Sequence, residues 1–239
     1  MSIVADILFF CYPPQDLVWV ERSVISPQLH TSLSKCVHSV ALDLMERYAA
    51  VGSFRVSLHE METCPLKDAV SIGKVNRVAT NGDRLEERVL SALRQIYDND
   101  PASRVGVYIG CNPLYPPELF EAGMELLEQD DDVVAFGDTG LNPLDGVRHP
   151  SRRPAWIGLK AFPREFVFDG NFRLDKDSIM KLGGTDVLLM PVRGGAENVS
   201  SVNDLRSLLH NIEREVLLKK WYPKRTLDSL RQMHRDGLI

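Results

Sequence analysis

Asp138 sits in Gly137-Asp138-Thr139-Gly140, directly after an apolar run at 133–136. Glycines on both sides let a ligand come close to the backbone. A carboxylate placed there can ligate a divalent metal or take a proton from an acceptor hydroxyl. Its plainer role is to close a turn. A second small loop, Gly110-Cys111-Asn112, follows the apolar run at 105–109. Asn112 offers an amide oxygen to a ligand, or holds a turn with unusual backbone angles. Cys111 is either a thiol nucleophile or, with no histidine near it in sequence, a small buried hydrophobe. Farther on, 141–154 loses all periodicity and carries Asn142, Asp145, Arg148, His149, Arg152 and Arg153. Arginines grouped in this way clamp a phosphate or carboxylate; the commoner fate of such a run is a solvated loop.

These loops need a scaffold that brings them together. The runs at 105–109 and 133–136 read as buried strands. Between them, Pro116 and Pro117 suit the first turn of a helix, and Leu119, Phe120, Met124 and Leu127 recur at helical spacing. Upstream, 6–10 reads as the first strand. Ser26-Pro27 caps a helix whose apolar face runs from Leu29 to Tyr48, and 54–58 alternates like a strand. The stretch 60–78 is less regular. Asn81-Gly82 is a turn signal, and Asp83-Arg84-Leu85-Glu86 resembles a capping box. The helix it opens buries Leu85, Val89, Leu93 and Ile96 and leaves Arg84 and Arg88 on its surface. Downstream, 155–160 and 186–190 read as strands and 162–168 as helical. Ser200 or Ser201 caps a helix to about 220, and 226–235 is a last amphipathic segment. Strands alternating with helices imply an α/β fold with a mainly parallel sheet in a single domain, 1–239. Within it, 141–154 is an irregular loop and 201–239 a C-terminal helical segment. In such sheets ligands bind outside the carboxyl ends of strands, where both small loops fall.

Composition narrows the class. With 44% hydrophobic and 26% charged residues among 239, the chain reads as an ordinary globular protein with a full core. A net charge of −5 gives no basic excess for nucleic acid. No apolar run approaches the roughly 20 residues that span a bilayer. Four cysteines without paired spacing favour free thiols in a reducing compartment. No secretory pattern precedes the first strand, so a cytoplasmic protein is expected.

Several stretches carry a likeness. Gly82-Asp83-Arg84-Leu85-Glu86-Glu87-Arg88, Tyr108-Ile109-Gly110-Cys111-Asn112-Pro113, Pro116-Pro117-Glu118-Leu119, Asp132-Val133-Val134 and Trp156-Ile157-Gly158-Leu159-Lys160 stand in a familiar order. The chain resembles the nucleotide-diphospho-sugar transferase superfamily, the glycosyltransferase-A fold, and within it a small bacterial glycosyltransferase-like family. The resemblance implies a three-layer αβα sandwich, Rossmann-like, binding a nucleotide-sugar and transferring to a small acceptor with Mg2+ or Mn2+ as the metal. Family members have Gly-Ser/Thr-Asp after the central strand, where Asn112 stands here, and an acidic late segment, where Asn198 and Ser200 stand. Near the phosphates, Cys11 and Asp16 replace a lysine and a glycine, leaving Arg22 as the phosphate cation. The resemblance offers Asp145-Gly146 as an alternative place for the family's Asp-Gly pair, shifted by an insertion, and Arg84 falls in one of the matching stretches. Residue types and resemblance together make Asp138 the candidate for catalysis and metal, and Cys111, Asn112, Arg84, Asp145, Arg148 and Arg22 the candidates for nucleotide or substrate binding. Two alternatives stand beside it. One is a degenerate relative acting as a binding or partner subunit; the other is a nucleotidyltransferase with an altered donor.

Overall fold

The structure, a computed structural model, describes residues 5–10, 26–51, 54–60, 76–80, 82, 85–108, 112–129, 133–137, 156–163, 180–182, 186–190, 199, 202–216 and 221–239. Its sheet has seven strands: β1 (Ala5–Phe10), β2 (Phe54–Glu60), β3 (Asn76–Ala79), β4 (Arg104–Tyr108), β5 (Val133–Gly137), β6 (Trp156–Leu159) and β7 (Asp186–Met190). Their order is β3-β2-β1-β4-β6-β5-β7. All pairings are parallel except those of β6, which runs antiparallel to both β4 and β5. The chain steps from β1 out to β2 and β3, then returns to lay β4 against the other side of β1. That reversal makes the carboxyl ends of β1 and β4 a topological switch point, the usual place for a ligand crevice.

The described residues form five helices: α1 (Pro27–Ala49), α2 (Leu85–Asn99), α3 (Pro117–Gln129), α4 (Val202–Val216) and α5 (Lys224–Arg235), the last packed against α1 and α4. The start of α1 follows its sequence signal. The Ser26 hydroxyl accepts the Leu29 N–H at 3.1 Å, and Pro27 occupies the first turn, where no N–H is needed. Tyr48 of α1 packs edge-on against Phe9 of β1 and Phe120 of α3, so α1 and α3 share one face of the sheet. Residues of α2 lie over the other face, beside Ser57 and His59 of β2, and the Tyr97 hydroxyl donates to the Leu159 carbonyl at 3.2 Å. The result is a three-layer α/β fold with a mixed, mainly parallel sheet.

Three expectations need amendment. A strand, β3, lies inside the stretch 60–78 that lacks periodicity in the sequence. It is four residues long and sits at the sheet edge, where alternation is not enforced by a second neighbour. Phe162 and Pro163 are not helical, while 164–168 lies outside the described residues. Arg88 is not a helix-surface arginine but fully buried within α2.

Close packing of α3 on β4 and β6 rests on small residues. A Cβ on Gly106 would come 2.2 Å from the Phe120 ring, and one on Gly123 would come 2.3 Å from the Trp156 ring. Phe120 and Trp156 stack at 4.4 Å, so neither ring can yield without moving the other. Gly106→Ala is therefore expected to cost about 2 kcal/mol of stability, the scale of overpacking a dense core. Pairing it with Phe120→Leu should return part of that loss. Denaturant unfolding of the two single variants and the double variant measures the coupling, and strict additivity would refute the contact.

Candidate functional site

The switch-point edge can be built from its described residues. β1 ends at Phe10, β4 at Tyr108 and β5 at Gly137, while β6 starts at this same edge with Trp156 paired to both Tyr108 and Gly137. The loop after β4 is held tightly. The Tyr108 hydroxyl donates to the Asn112 carbonyl at 2.6 Å and accepts the Asn112 N–H at 3.1 Å. The Asn112 side-chain oxygen in turn accepts the Leu114 N–H at 2.9 Å, closing an Asx turn. From the end of α1, Arg47 donates to the Leu114 and Tyr115 carbonyls at 3.2 and 3.1 Å. Its guanidinium also lies 4.6 Å from the Trp221 ring centre, which links this loop to the chain just before α5. Burial holds the Tyr48 hydroxyl well above its ordinary pKa, so it acts as a neutral donor to the Tyr115 carbonyl at 3.4 Å.

This arrangement fixes the chain from Asn112 to Tyr115 close to the carboxyl end of β4. It does so without a charge of its own, because Asn112 is buried and its side-chain oxygen already serves the turn. Of the residues assigned from the sequence, Asn112 is thus placed at the edge where a ligand is expected. Asp138 directly follows Gly137 of β5, but it lies outside the described residues, as do Cys111, Arg84, Asp145, Arg148 and Arg22. Among the described residues no group of three or more histidine, cysteine or acidic side chains could hold a metal ion. Asn112 alone would bring one neutral oxygen to Mg2+ or Mn2+, far short of the six oxygen ligands such ions take.

Two features escape a reading from sequence. One is the Tyr108 clamp: its signal was a tyrosine at a strand end four residues before an asparagine, which by itself says nothing of a hydrogen bond. The other is a polar row on β2. Arg55, Ser57 and His59 alternate along that strand and line a cavity of about 690 Å³ on the α2 face. The alternation of 54–58 carries this signal, with polar residues at every second position. His59 is buried, its Nε2 lies 2.9 Å from the Ser57 hydroxyl, and its ring stacks on Phe10 at 5.0 Å. Burial lowers its pKa to about 4, so the imidazole is neutral at physiological pH.

Among the described residues no helix is long and apolar enough to cross a membrane. No protein-family profile matches the sequence, and no curated protein matches it. Solved structures do match. A proposed nucleotide-diphospho-sugar transferase from Desulfovibrio desulfuricans superposes over 99% of this chain and 96% of its own, with a TM-score of 0.60 at 18% identity. CMP:2-keto-3-deoxy-manno-octonic acid synthetase, solved with CTP, covers 90% of this chain and is covered in full, with a TM-score of 0.52 at 12% identity. The 2-C-methyl-D-erythritol 4-phosphate cytidylyltransferase of Francisella tularensis covers 88% and is likewise covered in full, with a TM-score of 0.51 at 11% identity. At these identities the likeness is one of fold.

Proposed function

We propose, from a fold shared with nucleotide-diphospho-sugar transferases and nucleotidyltransferases, that this chain binds a nucleotide at the β1/β4 switch point and transfers a group to a small acceptor. The observation that carries the reading is the segment 112–115, pinned by Tyr108, Arg47 and Tyr48 beside the edge where such folds take ligands. A rigid loop loses little entropy when a ligand docks against it. On this reading the donor is a nucleotide-sugar and the transferred group a glycosyl unit. Asp138 holds Mg2+ or Mn2+ on the diphosphate or takes the acceptor proton. Arg22, Arg84 and Arg148 offset phosphate charge, Asp145 meets the sugar, and Cys111 and Asn112 form the wall beside the diphosphate. Offsetting the leaving-group charge is the largest single task of such a site.

Nucleotidyl transfer is the second reading. It is favoured by the two cytidylyl-transferring structures that cover nearly the whole chain. The two readings differ in donor: a nucleoside triphosphate in one, a nucleotide-sugar in the other. A thermal-shift panel of nucleoside triphosphates, diphosphates and nucleotide-sugars, each with and without Mn2+, separates them. A ligand at about 100 times its Kd stabilises by about 2.7 kcal/mol. For a chain of this size that is a rise of roughly 5–10 °C. A rise with a nucleotide-sugar and Mn2+ supports glycosyl transfer. A rise only with a triphosphate supports nucleotidyl transfer. The absence of any rise supports a degenerate relative that works as a binding or partner subunit. Tyr108→Phe, which keeps the ring and frees the loop, should reduce the nucleotide-induced rise by more than it lowers the unliganded Tm.

A further inference from the structure

The cavity over β2 does not belong to the switch-point crevice. It lies on the α2 face and opens toward the amino edge of the sheet, where Asp6, Arg55, Asp100 and Ser103 meet. Its volume of about 690 Å³ falls within the range of small-molecule sites. The polar groups at its mouth are fixed in position. Arg55 gives Nε and Nη2 to the Asp6 carboxylate, and the Ser103 hydroxyl, which accepts from Arg55 Nη2, lies within reach of Asp6 at 3.3 Å and Asp100 at 3.1 Å to donate its one proton to either. With its fork held this way, the Arg55 guanidinium has Nη1 left over, and half the side chain is exposed. Asp100 stands beside it, its Oδ2 at 4.0 Å from Arg55 Nη2, half-exposed and with acceptor sites beyond those used by Ala102 and Ser103. Gln95 and Asn99 on α2 line the same space, the Asn99 amide nitrogen donating to the Gln95 backbone carbonyl at 2.7 Å and leaving its oxygen as an acceptor, and Ser57 and Ile96 lie within it.

We propose that this groove binds a neutral saccharide. The pairing of a fixed donor with a fixed acceptor decides the class. An anion offers acceptors only and would face Asp6 and Asp100; an ammonium offers donors only and would face Arg55. A vicinal diol does both, accepting from Arg55 Nη1 and donating to Asp100, while further hydroxyls meet the planar amides of Gln95 and Asn99. Neutral His59 at the far end adds no charge. The space suits a unit larger than one sugar ring. The mouth of the groove is at the amino edge, away from the carboxyl ends where transfer is proposed, and its inner end closes on His59, stacked against Phe10; it is a separate subsite and does not rest on the nucleotide reading.

Saturation-transfer NMR with maltose, cellobiose and trehalose, each on the full chain, tests this. At least one should show transfer, and glucuronic acid should show weaker transfer than glucose. Gln95→Trp puts a large ring into the groove from an exposed helix position and should abolish the signal. Asn99→Ala, also exposed, should weaken binding severalfold, and it serves if the tryptophan variant melts early. Nucleotide-induced thermal shifts should be the same in both variants as in the parent, so the two sites fail separately. No transfer from any of the neutral sugars, a signal undiminished in Gln95→Trp and Asn99→Ala, or preference for glucuronic acid would each overturn the assignment.

Discussion

Asp43→Ala is expected to lower the unfolding free energy by about 4 kcal/mol, as removal of one partner from a buried charged network does. Asp43 is buried in the middle of α1, with 2% of its side chain exposed. One oxygen accepts both the backbone N–H and the hydroxyl of Thr226 at 2.8 Å. The other accepts from the Arg225 guanidinium at 3.0 Å, which also reaches Glu46 at 2.7 Å. These bonds occupy the first turn of α5, where free N–H groups need acceptors and no side-chain cap is present. Asp43 thus supplies that helix start from across the interface. Burial raises its pKa in spite of the bonds, so the carboxylate is under-solvated and depends on all of its donors. Alanine leaves the buried Thr226 N–H and hydroxyl unpaired; Asp43→Asn keeps an oxygen for them and should cost distinctly less. Urea unfolding of both variants, with hydrogen exchange along α5, reads the effect. A loss below about 1 kcal/mol for alanine would mean that α5 is held by its apolar face alone.

The second large effect is one of acidity. The folded pKa of His59 is about 4 against an ordinary 6.5. The folded state therefore binds fewer protons than the unfolded one between these values. Stability from this group is complete above pH 6.5, drains away as the pH falls toward 4, and changes no further below it. At 1.36 kcal/mol per unit, the loss is about 3 kcal/mol. The groups facing the imidazole are the Ser57 hydroxyl and the Phe10 ring, with Asp6, Arg55 and Asp100 farther along the cavity. Among the described residues no carboxylate is bonded to His59 that would favour its charged form. Asp43 works in the opposite sense, since its raised pKa makes the folded state gain protons as acid is added. The clean measurement is thus the difference between the parent and His59→Phe, which keeps the stack on Phe10. Their stabilities should converge by about 3 kcal/mol between pH 6.5 and 4. Parallel curves would show that water reaches the imidazole.

Much of the fold is legible in the residues, and the failures have physical causes. Ser26-Pro27 and the apolar spacing to Tyr48 predict a helix from 27 to about 48, and α1 spans Pro27–Ala49. Pro117 marks the start of α3, and the apolar runs at 105–109 and 133–136 coincide with β4 and β5 within one residue. Local pattern reports α1 and β4 because each buries a continuous apolar stripe. β3 is invisible because four residues at an edge need no stripe. The strand character of 155–160 is readable, but its direction is not: antiparallel insertion between β4 and β5 is decided by pairing partners far away in sequence. Arg88 reads as a surface arginine from its type, and only the packing around α2 reveals that it is buried. Near the candidate site, the position of Asn112 just after a strand is readable from the sequence, whereas the Tyr108 clamp on it depends on a side-chain orientation that spacing does not encode. The cavity on β2 is legible only as an alternation of polar residues, which suits a solvated face equally well.

The antiparallel strand also sets an order of assembly on the ribosome. β3, β2, β1 and β4 form one contiguous block from the first half of the chain, while β5 and β7 form another, and β6 is the only strand bridging them. A nascent chain that has emerged only as far as β5 has β4 with one open edge and no partner for it. At translation speeds of about 5–20 residues per second, that edge waits on the order of seconds for Trp156–Leu159 to arrive. During that interval the unpaired backbone N–H and C=O groups along the apolar stretch Val105–Val107 are a template for another chain of the same kind. Rapid synthesis through this stretch, or a chaperone at the exit tunnel, should raise soluble yield more than any change made to the finished fold.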